Sequence, residues 1–159
     1  MSVSFDLVQS PIGELLLLAR NAELAALYLE GQKGRPAIDE SWRHVPAHFD
    51  ESRRQLEEYF AGRRRRFDLP LAPQGSSFQL RVWHELQAIP FGETRSYGEV
   101  ATRLGQPKAS RAVGAANARN PLSIVVPCHR VIGTRGALVG YAGGSERKRW
   151  LLELEASAS

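Results

Sequence analysis

The chain has 159 residues, 43% of them hydrophobic and 24% charged, which fits one ordinary globular domain or two small lobes sharing a core and excludes wholesale disorder. Its apolar runs, such as Leu15 to Ala19, are far short of a bilayer span, and its single cysteine allows neither an intramolecular disulfide nor a zinc site built on two thiolates. The net charge of +4 is uneven: residues 1–77 hold 10 Lys/Arg against 11 Asp/Glu, whereas residues 78–150 hold 11 against 4. The later segment therefore reads either as a polyanion contact or as a solvated basic face.

Three apolar stretches open the chain. Val3–Val8, Glu14–Ala19 and Glu23–Leu29 are separated by Ser10-Pro11-Ile12-Gly13 and by a tight turn near Asn21, the pattern of an antiparallel meander. Nothing here resembles a secretory leader, which together with the unpaired thiol leads to the expectation of a cytoplasmic protein. Residues 31–46 are rich in Gly, Pro and charge and read as loop. Phe49, Leu56, Tyr59 and Phe60 recur at helical spacing, which predicts a helix over Asp50–Ala61. The Arg63–Arg66 run then reads as a polar helix end, where cations suit the dipole. Arg66–Leu69 is expected to return as a short strand. Pro70 to Ser76 has linker composition, and we divide the chain there into 1–76 and 77–159.

After this point the pattern turns helical. Ser76 or Ser77 caps a helix that presents Phe78, Val82, Leu86 and Ile89 on one face and ends at Pro90. Ser96-Tyr97-Gly98-Glu99 is a capping box, in which serine and glutamate satisfy two orphan N–H groups reciprocally. The helix it opens ends at Leu104-Gly105, and a short connection leads into Ala109–Arg119, completing a helix-turn-helix. Arg111 and Arg119 lie there among small residues (Ala112, Gly114, Ala115, Ala116). These either let the helix backbone approach a partner closely or serve packing within the protein. Leu122–Val126 is a short apolar strand, Gly133–Gly144 a structured loop, and Ser145 caps a last helix with Trp150, Leu151 and Leu154 inward. The fold class is thus α+β: a small antiparallel sheet with a helix, then a helical lobe with a helix-turn-helix.

Cys128 follows the apolar run and Pro127, precedes His129 and Arg130, and opens a Gly-rich loop. A lone cysteine after a strand is commonly a small buried hydrophobe. This neighbourhood instead suggests a thiol open in a pocket. A thiol of ordinary pKa is a few per cent thiolate at neutral pH, so a nucleophilic role needs a base or a cation. His129 is the nearest base, and its adjacency in sequence suggests action through a water. Glu155 on the last helix is placed to orient the imidazole. His44, His48 and His84 are dispersed and read as structural or surface residues.

Val126-Pro127-Cys128-His129-Arg130-Val131 resembles the active-site motif of the O6-alkylguanine-DNA alkyltransferase family. So do Phe91–Tyr97, Ser110–Gly114, Asn120-Pro121, Gly140–Gly144 and Lys148–Leu152, which occur in that family's order and spacing. The resemblance is dense over residues 77–155 and looser before them. It implies a ribonuclease-H-like first lobe and a winged-helix-like second one. It further implies irreversible, one-to-one transfer of an alkyl group from O6-alkylguanine, and from O4-alkylthymine, in DNA to Cys128, with no cofactor. On this resemblance His129 is the base and Glu155 its support. Asn120 is the hinge between recognition helix and active-site strand. Tyr97 crowds the 3′ phosphate and then donates to the base. Arg111 is the finger that enters the duplex from the minor groove and replaces the flipped guanine. Ser110, Ala112, Gly114 and Ala115 lie against the DNA. Tyr141, Val131, Lys148 and Ala142 form the base pocket. Ala142 stands where some members carry serine, which implies a shifted substrate range. The implied partner is double-stranded DNA, bound by a monomer with scope for cooperative assembly. The readings set against it are a non-catalytic binder of alkylated DNA, a cysteine hydrolase and a helix-turn-helix regulator.

Overall fold

The computed structural model describes residues 2–138 and 140–158. β1 (Val3–Ser10), β2 (Gly13–Arg20) and β3 (Glu23–Tyr28) form the expected antiparallel meander. In the second turn both Asn21 and Ala22 have positive φ, at 52° and 64°. Such a turn matches the right-handed twist of the strands it joins. The run Leu15–Ala19 does not alternate with polar residues because both sheet faces are covered. Leu15, Leu17 and Ala19 enter the main core, while Leu16 and Leu18 join Ala26 beneath Val3, Phe5, Tyr28 and Trp42.

The second cover comes from a segment read as plain loop. Within it, β4 (Arg43–His44) adds to β1 in parallel, giving the order β3-β2-β1-β4. Two residues are too few to leave a period in the sequence. α1 (Asp50–Phe60) follows a 3-10 turn, Pro46–Phe49, and buries Leu56 and Tyr59.

The short strand expected at Arg66–Leu69 is not formed. Asp68 donates its N–H to Gln55 Oε1 at 2.8 Å, and Gln55 Nε2 donates back to the Asp68 carbonyl at 2.9 Å. A helix side chain thus takes the backbone groups that a sheet would have used. Pairing with the sheet comes two residues later: Leu24 N–H donates to the Pro70 carbonyl and Ala72 N–H to the Leu24 carbonyl. The Pro-rich segment is therefore pinned to β3 where it passes Leu24.

α2 (Ser77–Leu86) carries the capping box of Ser76 and Gln79, and α3 (Tyr97–Arg103) that of Ser96 and Glu99. α4 (Ser110–Ala118) completes the helix-turn-helix. β5 (Arg95–Ser96) and β6 (Val131–Ile132) pair in parallel beside it. α5 (Ser145–Ala158) closes the chain. Gly144, not Ser145, occupies its cap position, with φ at 90° and its carbonyl accepting from Lys148 N–H.

Leu122–Val126 is buried as expected but is not a strand. Only Leu122 bridges to the sheet, opposite Leu27. The chain then folds back on itself: Val125 N–H donates to the Ser123 carbonyl and Val126 N–H to the Leu122 carbonyl, with Ile124 at φ 74°. A positive φ is costly for a β-branched residue and persists only where surroundings impose it. Here the imposing contacts are a fully buried shell and the Asn120 side chain, described below.

One hydrophobic cluster joins Leu15, Leu27 and Tyr59 to Val82, Val100, Val113 and Leu151. Among the described residues no helix is long and apolar enough to cross a membrane. Leu27 is fully buried on β3 and pairs with Leu122. Leu27→Ala is therefore expected to lower unfolding free energy by about 2–5 kcal/mol, read by urea denaturation. A loss under about 0.5 kcal/mol would contradict this account of the core.

Candidate active site

Cys128, His129 and Arg130 form a single 3-10 turn. The turn is set by Pro127, whose backbone lets Cys128 N–H donate to the Val126 carbonyl at 2.7 Å and Arg130 N–H to the Pro127 carbonyl at 2.9 Å. So tight a turn points successive side chains in different directions. His129 and Arg130 reach α5, while Cys128 reaches Asn120, Lys148 and Tyr97.

Glu155 is fully buried and gathers the donors around it. Its Oε2 accepts from His129 Nε2 at 2.7 Å, from the Tyr59 hydroxyl at 2.6 Å and from an Arg130 Nη at 2.9 Å. Its Oε1 accepts from Arg130 Nε at 2.8 Å and from Gly92 N–H at 3.4 Å. Burial alone drives this carboxyl upward, but the hydrogen bonds from His129 and Arg130 and the positive charge of Arg130 outweigh it. They hold Glu155 well below the usual carboxylate range, so it is ionised and can only accept.

That fixes the state of the histidine. An ionised Glu155 requires the proton on His129 Nε2, which leaves the Nδ1 lone pair free. Nδ1 is buried and has no hydrogen-bond partner. Burial pushes the imidazole pKa down, against the pull of Glu155 and with the repulsion of Arg130 and Lys148. His129 is thus a neutral base with its basic nitrogen unspent.

The thiol is not open, contrary to expectation: Cys128 is only 3% exposed. Burial pushes it up to about 11, although the Asn120 side chain and the Lys148 charge favour the thiolate. The sulfur is therefore a protonated thiol at rest, enclosed by polar groups as well as by the core. Lys148 is fully buried, and desolvation lowers it to about 8 while Cys128 raises it. Its Nζ donates to the Val131 carbonyl at 2.5 Å and lies 6.0 Å from the Tyr141 ring centre.

Asn120 shapes the turn leading to the thiol. Its Nδ2 donates to the Val126 carbonyl at 2.9 Å, and its Oδ1 accepts from Leu122 N–H at 3.0 Å. One amide thus spans the loop that holds Ile124 at positive φ. Asn117, on α4, donates to the Cys128 carbonyl at 3.3 Å.

Tyr97, the first residue of α3, is half-buried, and burial and Cys128 both raise its pKa. Its hydroxyl lies where a Cβ on Gly140 would come within 2.6 Å, so only glycine allows this approach. Tyr141 and Ala142 follow on the same loop, and the Ala142 carbonyl accepts from Lys33 N–H at 3.0 Å. A groove of about 710 Å³ opens beside them, lined by Asn120, Gly140, Tyr141, Ala142, Lys33, Trp83 and Arg119. Cys128 does not line this groove.

Arg111, Ala112 and Ala115 are set apart from this cluster on the exposed face of α4. Ala118 and Arg119 continue that face, whereas Val113, Ala116 and Asn117 are buried. Of the two readings of the small residues, Ala116 serves packing and the remaining alanines face outward. Gly114 is half-buried, and a Cβ there would lie 3.8 Å from the Tyr97 ring. Ser110 is half-buried at the helix start, where no side chain caps the N–H groups and no acidic residue lies in the first turn. Such an end favours anions.

His44 pairs with Asp6 and His48 with Ser4, both far from Cys128 in the fold, and His84 is exposed. No group of three or more His, Cys, Asp or Glu able to hold a metal occurs among the described residues. Two members of the cluster escaped the sequence reading. Arg130 was visible only as part of a motif, although a basic residue in an apolar stretch signals a need for an acidic partner. Tyr59 lies 96 residues from Glu155, and its helical period marks it as core but gives no sign of its hydroxyl's partner.

Residues 3–73 match the family described as 6-O-methylguanine DNA methyltransferase, ribonuclease-like domain, and residues 77–157 match its DNA binding domain. A methylated-DNA–protein-cysteine methyltransferase of Methanosarcina acetivorans is 51% identical over 155 residues, covering 96% of this chain and 98% of that protein. The Mycobacterium tuberculosis protein of the same name is 48% identical over 155 residues, covering 98% and 93%. The crystal structure of Mycobacterium tuberculosis OGT in complex with DNA superposes with a TM-score of 0.93 at 48% identity, over 98% of this chain and 94% of that one. The α+β architecture agrees, and the chain belongs to the 6-O-methylguanine DNA methyltransferase family.

Proposed function

We propose that Cys128 takes the alkyl group from O6 of a damaged guanine in DNA and keeps it. The chain repairs DNA by direct transfer to its own cysteine, as the names of its relatives at about 50% identity support. The observation that carries the chemistry is the His129–Glu155 pair, with His129 in the same turn as Cys128 and its Nδ1 free and buried.

The step balances as a displacement. The Cys128 thiol gives its proton to His129 Nδ1 through a bridging water. The sulfur pair then attacks the alkyl carbon, forming C–S as C–O6 breaks. The purine leaves with the electron pair on its oxygen, and a hydrogen bond from the Tyr97 hydroxyl stabilises that developing charge. Lys148 offsets the thiolate charge while it exists. A thioether has no ready way back, so each molecule repairs one lesion and the reaction closes without a further reactant.

A thiol raised by burial is inert at rest. Proton removal must then accompany docking of the base, when Tyr97, Tyr141 and the loop around Ala142 close on it. The base cannot be reached inside the duplex, so it is flipped out. The exposed alanine face of α4 suits a narrow groove, and we assign it to the minor groove, with Arg111 filling the vacated stack. Ser110, Ala112, Gly114 and Ala115 carry the backbone contacts, aided by the uncapped helix start. Asn120 holds the turn that presents the sulfur, and Val131 and the backbone near Cys128 read the guanine edge. We further propose the division into 1–76 and 77–159, O4-alkylthymine as a second substrate, binding as a monomer with cooperative assembly on DNA, and a cytoplasmic setting, which suits a nucleophilic thiol. A binder without transfer is not favoured, since the relatives at about 50% identity are named as cysteine methyltransferases and this chain carries a cysteine at 128.

Cys128→Ser is expected to lower transfer from O6-methylguanine duplex by at least about a thousandfold while DNA binding persists. Label transferred to that variant at the wild-type rate would overturn the mechanism. Arg111→Ala should slow transfer from duplex about tenfold more than transfer from a free O6-alkylguanine base. Equal losses on both substrates would remove the finger assignment. Because the His129 pKa lies below its ordinary 6.5, the single-turnover rate should hold across neutral pH and fall only under more acid conditions, as Nδ1 becomes protonated. A rate climbing steadily from about pH 6 to about pH 9 would place proton removal in bulk solvent instead.

A further inference from the structure

Tyr59 is a fully buried phenol that the transfer scheme leaves unused. It projects from α1 into the site built by α5 and the 128–130 turn, and its ring packs against Phe60, Phe67 and Phe91. Its hydroxyl donates to Glu155 Oε2 at 2.6 Å, the same oxygen that accepts from His129 Nε2 at 2.7 Å. We infer that Tyr59 is a positioning residue for the transfer reaction, sharing one carboxylate oxygen with the base so as to fix the imidazole and limit its basicity. The inference rests on His129 taking the thiol proton.

The donors to Glu155 Oε2 share its charge. Imidazolium at position 129 is stabilised by the negative charge that faces it on Oε2. Every other donor to that oxygen withdraws part of that charge. Tyr59 is the neutral donor among them, and Arg130 the cationic one. The groups acting on His129 are Glu155 and Lys148 from α5 and Arg130 beside it in the turn, with Tyr59 from α1 sharing Glu155 Oε2. Of these, only Tyr59 can be altered by one atom with its ring packing kept and no formal charge changed. A burial-raised phenol stays protonated throughout the working range, so it is a permanent donor.

Removing the hydroxyl concentrates charge on Oε2 and makes His129 more basic. The acid limb of the transfer rate then moves to higher pH, because the base is protonated sooner. The test uses the full chain, with single-turnover transfer from O6-methylguanine duplex followed across pH. Tyr59→Phe is expected to move the acid limb up by about half a pH unit. Phe67→Leu, which loosens the same ring cluster but keeps the hydroxyl, should melt earlier with its acid limb where wild type has it. Should Tyr59→Phe fail to fold, 3-fluorotyrosine at position 59, a stronger donor of nearly the same shape, should move the limb down. A limb that stays fixed in the Phe variant, or in the fluorinated protein, overturns the inference and leaves Tyr59 a packing residue. An acid limb absent from wild type itself would instead sink the assignment of His129 as base, and this inference with it.

Discussion

Glu155 is an anion with no access to water, and an uncompensated charge in that position is too costly to persist. Its donors come from distant parts of the chain: Tyr59 from α1, Gly92 from the turn after α2, and His129 and Arg130 from the turn before β6. Satisfying one carboxylate therefore locks four segments against each other. Arg130 is held in turn by the Ile89 carbonyl at 2.7 Å and by the Phe91 ring 5.7 Å away. The His129 ring takes its orientation from this arrangement through the hydrogen bond at Nε2.

The same burial that demands those partners keeps the thiol quiet. A sulfur pushed up to about 11 does not react with every passing electrophile. The Asn120 side chain and the Lys148 charge both favour the thiolate but do not outweigh burial. For a protein consumed by a single turnover, a thiol kept quiet at rest is protected from wasteful reaction.

The two faces of α4 carry different residues. Its outer face carries Arg111, Ala112 and Ala115; its inner face carries Asn117, which donates to the Cys128 carbonyl. Asn120, two residues past the helix, ties the turn before the cysteine into shape. The exposed face of α4 is thus one hydrogen bond away from the Cys128 backbone.

Several features were legible in the residues alone. The meander, both capping boxes and the helix-turn-helix follow from local signals whose partners lie within a few positions, and so does the Cys-His motif. The His129–Glu155 pairing followed from their residue types and from resemblance. What the sequence could not settle depended on contacts between distant segments. Leu122–Val126 has the composition of a strand but turns back, because Asn120 takes the backbone groups first. Arg66–Leu69 loses its strand to a Gln55 side chain on a helix. Leu15–Ala19 looked like a single buried strand, yet the two faces needed different covers, one of them a segment without any period. The closed state of Cys128 and the Tyr59 hydroxyl on Glu155 are likewise tertiary facts. Burial and hydrogen-bond pairing are properties of surroundings, and a linear order of residues carries propensity and period but not the surroundings that decide between them.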